Sequence, residues 1–230
     1  LFPYTTLFRS SRVYPRFRLP TVHYGRPDTG GDVCIDRNGF IEDALKHLAR
    51  QGCHRVAFLR RTIATEPSRE TDAVFWDSIK RHKMTGGEIL ELFHEPNQAS
   101  SEAIAQTLTE SWVDEWRLFP PKQQPDALIV ADDILMRGVA RGLLKRGVST
   151  SDELQVVYLA HREIVHHYGI EATRYETSIQ ELAEKMAELF VMKLARERLP
   201  KLPLTVRGQF VQPPPPDTVI TPSIPTIPYP

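Results

Sequence analysis

The sequence predicts an α/β fold in which parallel β-strands are covered by helices on both faces. Short apolar runs alternate with longer segments whose apolar residues recur at helical spacing, and this alternation is typical of β–α–β units. The run Ala127–Ala131 is continuously apolar, as expected of a strand that is buried on both faces. With 230 residues, 41% of them hydrophobic and 25% charged, the chain is long enough to bury a sizeable core.

The strands are predicted from short apolar runs that turn residues separate. Val33–Ile35 lies between Gly31 and Gly39, which is the pattern of a short buried strand. The later runs have the same character and end with a strand close to the proline-rich terminus. In chain order they are Val56–Leu59, Ile89–Phe93, Ala127–Ala131, Val156–Leu159 and Leu204–Val206.

The helices are predicted from apolar residues three or four positions apart. Such residues fall within the segments 41–48, 74–79, 103–112, 135–144 and 179–194. Gly52 and Gly147 stand just beyond two of these segments, where a glycine commonly ends a helix. The segment from Ile179 to Leu194 is expected to form the longest amphipathic helix.

Charge, cysteine content and hydropathy exclude several classes of protein. Lys+Arg and Asp+Glu number 29 each, and a net charge of +0 argues against a chain that binds nucleic acid electrostatically. Cys34 and Cys53 lack the spacing of metal ligands, so we interpret them as buried thiols in a reducing compartment. No apolar run approaches the roughly 20 residues of a membrane helix. We therefore expect a cytoplasmic protein that contacts no membrane.

The two ends of the chain differ from the middle. Residues 1–19 show neither strand nor helix periodicity, and we interpret them as an unstructured or artefactual leader. Eight of the 19 prolines lie in residues 212–230, a composition typical of a disordered, polyproline-like tail. The folded domain is therefore expected over residues 20–211.

Three segments share a pattern with one known family. The first, VCIDRNGFIEDALKHLARQGCHRVAFL, has a strand ending in Asp, a helix ending in His-Leu and a Gly turn into the next strand. The second, PDALIVADDILMRGVARGLLKRGVSTSDELQVV, has a strand, an Asp pair, a helix and an acidic turn. The third is ATRYETSIQELAEKMAELFVMKL with the later LPLTVRGQFV, a closing helix and a terminal Arg-Gly strand. In this order they resemble the sensor domain of the lactose-repressor (LacI/GalR) family of transcription regulators.

The resemblance implies a periplasmic-binding-protein-like fold with two parallel-sheet lobes, helices on both faces and a small ligand in the cleft. It also implies that residues 20–211 form the effector-binding sensor domain of a homodimeric regulator, without cofactor and without enzymatic activity. Family members carry a helix-turn-helix and the first part of the N-lobe before the point where Leu19–Val22 occurs here. We therefore expect an incomplete N-lobe, and DNA contact only through a headpiece that is missing from this chain.

Asp132 and Asp133 are predicted ligand contacts because they follow the strand Ala127–Ala131. Ligands of open α/β sheets bind beyond the carboxyl ends of the strands. A carboxylate there accepts hydrogen bonds from hydroxyl groups, as a carbohydrate-like effector requires. An aspartate at this point also caps the following helix, so ligand contact and capping both stay open. By resemblance, Asp132 falls on the family's amide position and Asp133 on the neighbouring acid.

Asp36 and His161 complete the predicted ligand-binding set. Asp36 ends an earlier strand and faces the same side of the sheet if the topology follows the family; otherwise it begins a turn. His161 stands where the family has an acidic residue after a strand, and Thr71 stands where the family has its ligand-gripping arginine. Loss of a planar donor and a carboxylate argues against a monosaccharide. Trp76 and Tyr158 could stack on a more aromatic effector or belong to the core.

Other chemistries have less support. His161, His166 and His167 suggest a metal hypothesis with the neighbouring aspartates, but no ligand spacing repeats, so we expect no metal site. The sequence contains no Gly-x-Ser-x-Gly, P-loop or Gly-x-Gly-x-x-Gly motif. Two alternatives to the regulator remain. One is a soluble substrate-binding protein of a transport system, and the other is a Mg²⁺-dependent α/β enzyme that uses Asp132 and Asp133.

Overall fold

A computed structural model describes residues 20–25, 30–62, 69–93, 100–164, 167–201 and 203–211. The strands are β1 (Val33–Ile35), β2 (Arg55–Thr62), β3 (Gly86–Phe93), β4 (Ala127–Val130), β5 (Gln155–His161), β6 (Thr173–Thr177), β7 (Leu204–Val206) and β8 (Gln209–Phe210). The helices are α1 (Arg37–Arg50), α2 (Arg69–Arg81), α3 (Ser101–Trp116), α4 (Asp133–Lys145) and α5 (Ile179–Ala195), with a 3₁₀ turn at Pro121–Gln123. The predicted leader and proline-rich tail lie outside the described residues.

The strands form two sheets. The larger has the order β3-β2-β4-β5-β6-β8, and all its neighbours are parallel except β6 and β8. The smaller pairs β1 with β7 in parallel, with Val33 opposite Leu204 and Ile35 opposite Val206. The predicted α/β class is therefore confirmed, and every predicted strand and helix is present. Gly52 and Gly147 have φ of +85° and +62°, as expected at the ends of α1 and α4.

Strand β4 lies at the centre of the larger sheet and is buried on both faces. Leu128 and Val130 pack into a core formed with α3 and α4, while Ala127 and Ile129 pack into a second core with α1 and α2. All four side chains have no exposed surface. The continuous apolar run is thus explained by helices on both sides of the sheet.

The sequence does not predict β6 and β8. Strand β6 carries charged residues, and its Glu176 is 8% exposed because Arg174 forms an ion pair with it at 2.7 Å. Tyr175, the aromatic residue of β6, is 1% exposed and packs edge-on against Phe210 of β8. An ion pair within β6 and the aromatic contact between β6 and β8 therefore stabilise this edge of the sheet, and a period-two apolar pattern is absent from it.

Helix α5 is the longest helix, as predicted, but it buries little of its apolar surface. It packs on β1 and β7, and Leu189 is its one buried residue. Phe190, Val191 and Leu194 are 40%, 60% and 53% exposed. A two-stranded sheet is too narrow to cover a helix of 17 residues. In the described ranges, none of the helices is long and apolar enough to cross a bilayer.

Candidate functional site

The chain crosses between the two sheets three times. It leaves the smaller sheet after β1 to begin α1, returns to it after β6 to begin α5, and leaves again between β7 and β8. The carboxyl ends of β1, β2 and β4 thereby come together with the amino ends of α1, α2 and α4. This junction is the predicted kind of ligand position, because ligands of open α/β sheets bind beyond the carboxyl ends of the strands.

The larger cavity at this junction has a volume of about 320 Å³. Asp36 lines it and caps α1, because its Oδ1 accepts a hydrogen bond of 2.8 Å from the Gly39 N–H. Asn38, on the first turn of α1, donates to Glu70 of α2 at 2.9 Å. Residues of the smaller sheet and of α2 complete the wall, together with Tyr24, which is half exposed. The cavity therefore has both polar and apolar walls and is open to solvent.

A smaller cavity of about 40 Å³ adjoins the larger one, since Arg37 and Thr71 line both. Asp132 lines this smaller cavity and caps α4, accepting a hydrogen bond of 2.8 Å from the Leu135 N–H. Its other carboxylate oxygen accepts a hydrogen bond of 2.6 Å from the Arg61 guanidinium. The capping role that the sequence leaves open is thus present, and ligand contact stays a prediction.

Asp36 and Asp132 belong to different sheets. If the topology follows the family, Asp36 is expected to face the same side of the sheet as Asp132, whereas the structure puts it after β1 of the smaller sheet. The two carboxylates therefore approach the junction from opposite sides. They line different cavities, and Arg37 and Thr71 line both. A ligand that contacts both would bridge the two sheets.

Asp133 and His161 lie farther along the same edge of the larger sheet. The backbone carbonyl of Asp133 accepts a hydrogen bond of 3.3 Å from the Tyr168 hydroxyl. His161 ends β5, and its Nδ1 lies 3.5 Å from the hydroxyl of Thr177. Among the described residues, those lining the two cavities do not include either side chain. The structure therefore does not bring Asp133 and His161 together with Asp36 and Asp132, and their contact with a ligand stays a prediction.

Arg60 and Arg61 are site residues that the sequence analysis does not find. Arg60 is 3% exposed and donates to Thr62 at 2.5 Å, to Asp72 at 2.9 Å and to Glu91. Burial raises the pKa of Asp72, and Glu91 raises it further, although Arg60 opposes both effects. The sequence does contain a signal for these two residues. They are consecutive arginines at the carboxyl end of an apolar strand run, where a polar side chain enters the ligand crevice.

Among the remaining candidates, Cys34 lines the larger cavity of this junction, while the aromatic residues and Cys53 line neither cavity. Tyr158 is 3% exposed and packs edge-on against Tyr168, so it belongs to the core. Trp76 packs edge-on against Phe75 on α2. Cys34 and Cys53 are free and buried, as predicted, and burial raises the pKa of the Cys53 thiol to about 11.

The metal hypothesis gains no geometric support. His167 is exposed, and His166 lies outside the described residues. Within the part of the chain that the structure describes, no three His, Cys, Asp or Glu side chains are placed to share a metal ion.

A further cavity lies at the opposite, amino-terminal edge of the larger sheet. Its volume is about 190 Å³, and Arg55, Trp112 and Trp116 line it. The indole of Trp112 donates to Glu88 at 2.7 Å. This cavity is remote from the carboxyl ends of the strands and is the alternative location for a ligand.

Glu163 fixes the crossing at the start of α5. Its carboxylate accepts hydrogen bonds from the Ile179 N–H at 3.0 Å and from the Ser178 hydroxyl at 2.8 Å. The bond from Ile179 lowers the pKa of Glu163 to about 2, outweighing the effect of desolvation. The stability contributed by this carboxylate should be complete above its unfolded pKa of about 4.3 and be lost as the pH falls toward 2.

This linkage can be measured with Glu163→Gln. We expect the wild-type chain to have the higher urea midpoint at pH 6, and the difference between the two proteins to shrink as the pH falls from 5 to 3. A difference that stays constant over this range would show that the carboxylate charge does not hold the crossing.

The chain is similar to proteins of known structure. A family model described as a periplasmic binding protein-like domain matches residues 45–211. A periplasmic binding protein/LacI transcriptional regulator from Alkaliphilus metalliredigens, complexed with D-xylulofuranose, is 18% identical with a TM-score of 0.63, covering 86% of this chain and 71% of that chain. The comparison with curated protein sequences finds no match.

Two more solved structures show the same fold. A regulatory protein of the LacI family from Chloroflexus aggregans is 19% identical with a TM-score of 0.63, over 83% of this chain and 66% of its own. A dimeric Lac repressor is 15% identical with a TM-score of 0.63, over 79% of this chain and 62% of its own. Because the family model spans well over half of the sequence, the chain belongs to the periplasmic binding protein-like domain family, whose fold it shares with LacI-type transcription regulators.

Proposed function

We propose that this chain is the effector-binding sensor domain of a bacterial LacI-type transcription regulator. The observation that supports it most is the pair of adjoining cavities between the two sheets, which Asp36 lines from one side and Asp132 from the other. In this proposal the protein acts in the cytoplasm as a homodimer and reaches DNA through a helix-turn-helix headpiece. It binds its effector without transforming it.

Three crossings between the sheets provide a physical basis for signalling. Binding energy transmits a signal when the effector has different affinities for two arrangements of the protein. A ligand held by residues of both sheets meets that requirement, because closing the junction brings the two walls together. The crossing segments are short, and such segments commonly absorb the dihedral changes of domain closure.

The effector is proposed to be a small polar molecule. The larger cavity, at about 320 Å³, is in the range of small-molecule pockets and offers the carboxylates of Asp36 and Glu70 as hydrogen-bond acceptors. One structural relative binds D-xylulofuranose, which is consistent with a carbohydrate-like effector. Asp133 and His161 are kept as contacts for a molecule that extends beyond the two cavities.

The two alternatives are weaker. The transport-protein alternative shares the fold. An in-frame export signal in the genomic sequence would favour the transport protein, whereas an in-frame helix-turn-helix would favour the regulator. The magnesium enzyme requires Asp132 as a metal ligand, but its oxygens already accept hydrogen bonds from Arg61 and from the Leu135 N–H. An arginine beside a carboxylate opposes the binding of a cation there.

The proposal predicts that Asp132→Ala weakens effector binding. A thermal-shift screen of metabolites first identifies compounds that raise the melting temperature by mass action. For a neutral compound of this kind, we expect calorimetry to show a Kd about tenfold higher in the variant, which corresponds to about 1.4 kcal/mol. The variant also loses a helix cap, which lowers the free energy of unfolding by about 1 kcal/mol.

Ser100→Ala is the matched control. Ser100 caps α3 by accepting a hydrogen bond of 3.3 Å from the Ala103 N–H, and it lines neither cavity of the junction. We expect this variant to lose similar stability and to keep the wild-type Kd. An unchanged Kd in Asp132→Ala would restrict Asp132 to capping and remove it from the site.

A further inference from the structure

Three arginines and several apolar side chains line the smaller cavity of the junction. We call it the arginine chamber, and among the described residues its charged lining consists of Arg37, Arg60, Arg61 and Asp132. Arg37 comes from the first turn of α1, while Arg60 and Arg61 are consecutive residues of β2. Asp132 pairs with Arg61, and Asp72 and Glu91 pair with Arg60 from outside the lining, so Arg37 is the lining guanidinium without an acidic partner among the described residues. An anionic group in the chamber would pair with Arg37.

One donor in this lining is buried and unused. Arg60 is 3% exposed, and its Nε–H has no hydrogen-bond partner, although its terminal nitrogens donate to Thr62, Asp72 and Glu91. Asp72 and Glu91 offset the charge of Arg60, but neither lines the chamber. An unpaired buried N–H destabilises a fold, and an acceptor group of a ligand in the chamber would satisfy it.

A second guanidinium is also available. Arg37 is exposed, lines both cavities and makes no hydrogen bond or ion pair with any residue in the described ranges. Arg61 differs because Asp132 already holds it at 2.6 Å, with 36% of the Arg61 side chain exposed. Arginine presents parallel N–H donors that match a carboxylate, and a charge-assisted pair of this kind is stronger than a neutral hydrogen bond.

The chamber has room for a carboxylate. Its volume of about 40 Å³ exceeds the roughly 10–15 Å³ that one water molecule needs in a cavity. The adjoining larger cavity, with Asp36, Asn38 and Glu70 in its wall, is suited to the hydroxyl or amine groups of the same molecule. The two cavities therefore match a molecule with an acidic end and a polar body.

We propose that the effector is a small organic acid whose carboxylate occupies the arginine chamber, between Arg37 and Arg61 and beside the Nε–H of Arg60. This inference rests on the proposed function, since it assigns a chemical class to the ligand of the same junction. It also gives the arginines of β2 a role in ligand binding, at a junction where Thr71 occupies the position of the family's ligand-gripping arginine.

The test compares carboxylic acids with their primary amides on the full chain. The probes are succinate and succinamide, glucuronate and glucuronamide, and benzoate and benzamide, since the members of each pair have nearly the same shape and differ in charge. Calorimetry at pH 7.5 is expected to show at least one acid binding ten times more tightly than its amide. Arg37→Gln should lower the affinity for that acid about tenfold and leave the affinity for the amide unchanged.

Arg50→Gln is the matched control, because Arg50 is an exposed arginine at the other end of the same helix. It should bind the acid as the wild-type chain does. Amides that bind as tightly as their acids, equal losses in both arginine variants, or no binding by any acid at millimolar concentration would each overturn the carboxylate assignment. If a neutral sugar or amide binds and Asp132→Ala weakens that binding, the carboxylate assignment is overturned but the proposed function stands.

Discussion

Gly138→Ala is expected to lower the free energy of unfolding by about 3 kcal/mol, at the upper end of what overpacking costs. Helices α3 and α4 approach each other most closely at this glycine. A Cβ at Gly138 would overlap the backbone carbonyl of Glu102 and lie 2.8 Å from the Ala105 Cβ and from the Gln106 nitrogen. Because these neighbours are largely helix backbone, they cannot move aside as a flexible side chain can. The higher helix propensity of alanine, about 1 kcal/mol, is too small to compensate.

Gly142→Ala, one turn further along α4, is the comparison. The nearest atoms to its added Cβ would be the Thr109 Cβ at 2.8 Å, the Gln106 carbonyl at 3.0 Å and the Thr109 Cγ2 at 3.0 Å. Part of this neighbourhood is a side chain, so we expect a loss smaller than at Gly138. Urea denaturation of both variants measures the order. If Gly138→Ala is as stable as the wild-type chain, the helices are farther apart than the structure shows.

Arg60→Met is expected to lower the free energy of unfolding by about 3 kcal/mol, because it removes the cation from a largely buried ion cluster. Asp72 and Glu91 would be left beside each other with their side chains 28% and 34% exposed. Partial access to water limits the loss to the lower end of the range for broken buried pairs. Since protonating a carboxylate relieves this repulsion, the loss should be smaller at pH 5 than at pH 7.

A triple variant separates charge from packing at this position. Arg60→Met combined with Asp72→Asn and Glu91→Gln keeps the shapes of the two acids but removes their charges. We expect it to recover most of the stability lost in the single variant, again by urea denaturation. If the triple variant is no more stable than Arg60→Met alone, packing of the arginine and not its charge accounts for the loss.

The positions of the main elements follow from local sequence, whereas the edge strands do not. Runs such as Ala127–Ala131 are apolar because helices cover both faces of the strand, and this apolar pattern is visible in the run itself. Strand β6 differs, since the burial of Glu176 depends on Arg174 and on the pairing of β6 with β5 and β8. Apolar periodicity reports neither the ion pair between Arg174 and Glu176 nor the pairing of these strands.

The site was predictable in part. The aspartates after β1 and β4 were found because a polar residue at the end of an apolar run is a local feature. Arg60 was missed because its charge is accommodated by Asp72 and Glu91, which lie 12 and 31 residues away in sequence. The placement of Asp36 on a second sheet was also beyond local reasoning, since β1 pairs with β7 about 170 residues later.

Hydrogen–deuterium exchange with and without a bound compound locates the effector on the chain. For a compound that raises the melting temperature, we expect protection at the junction, in the segments 36–39, 60–62 and 131–135. These segments contain wall residues of both cavities and the amino ends of α1 and α4. Protection confined to the opposite edge of the larger sheet, around Arg55, Trp112 and Trp116, would contradict a sensor that binds its effector between the two sheets.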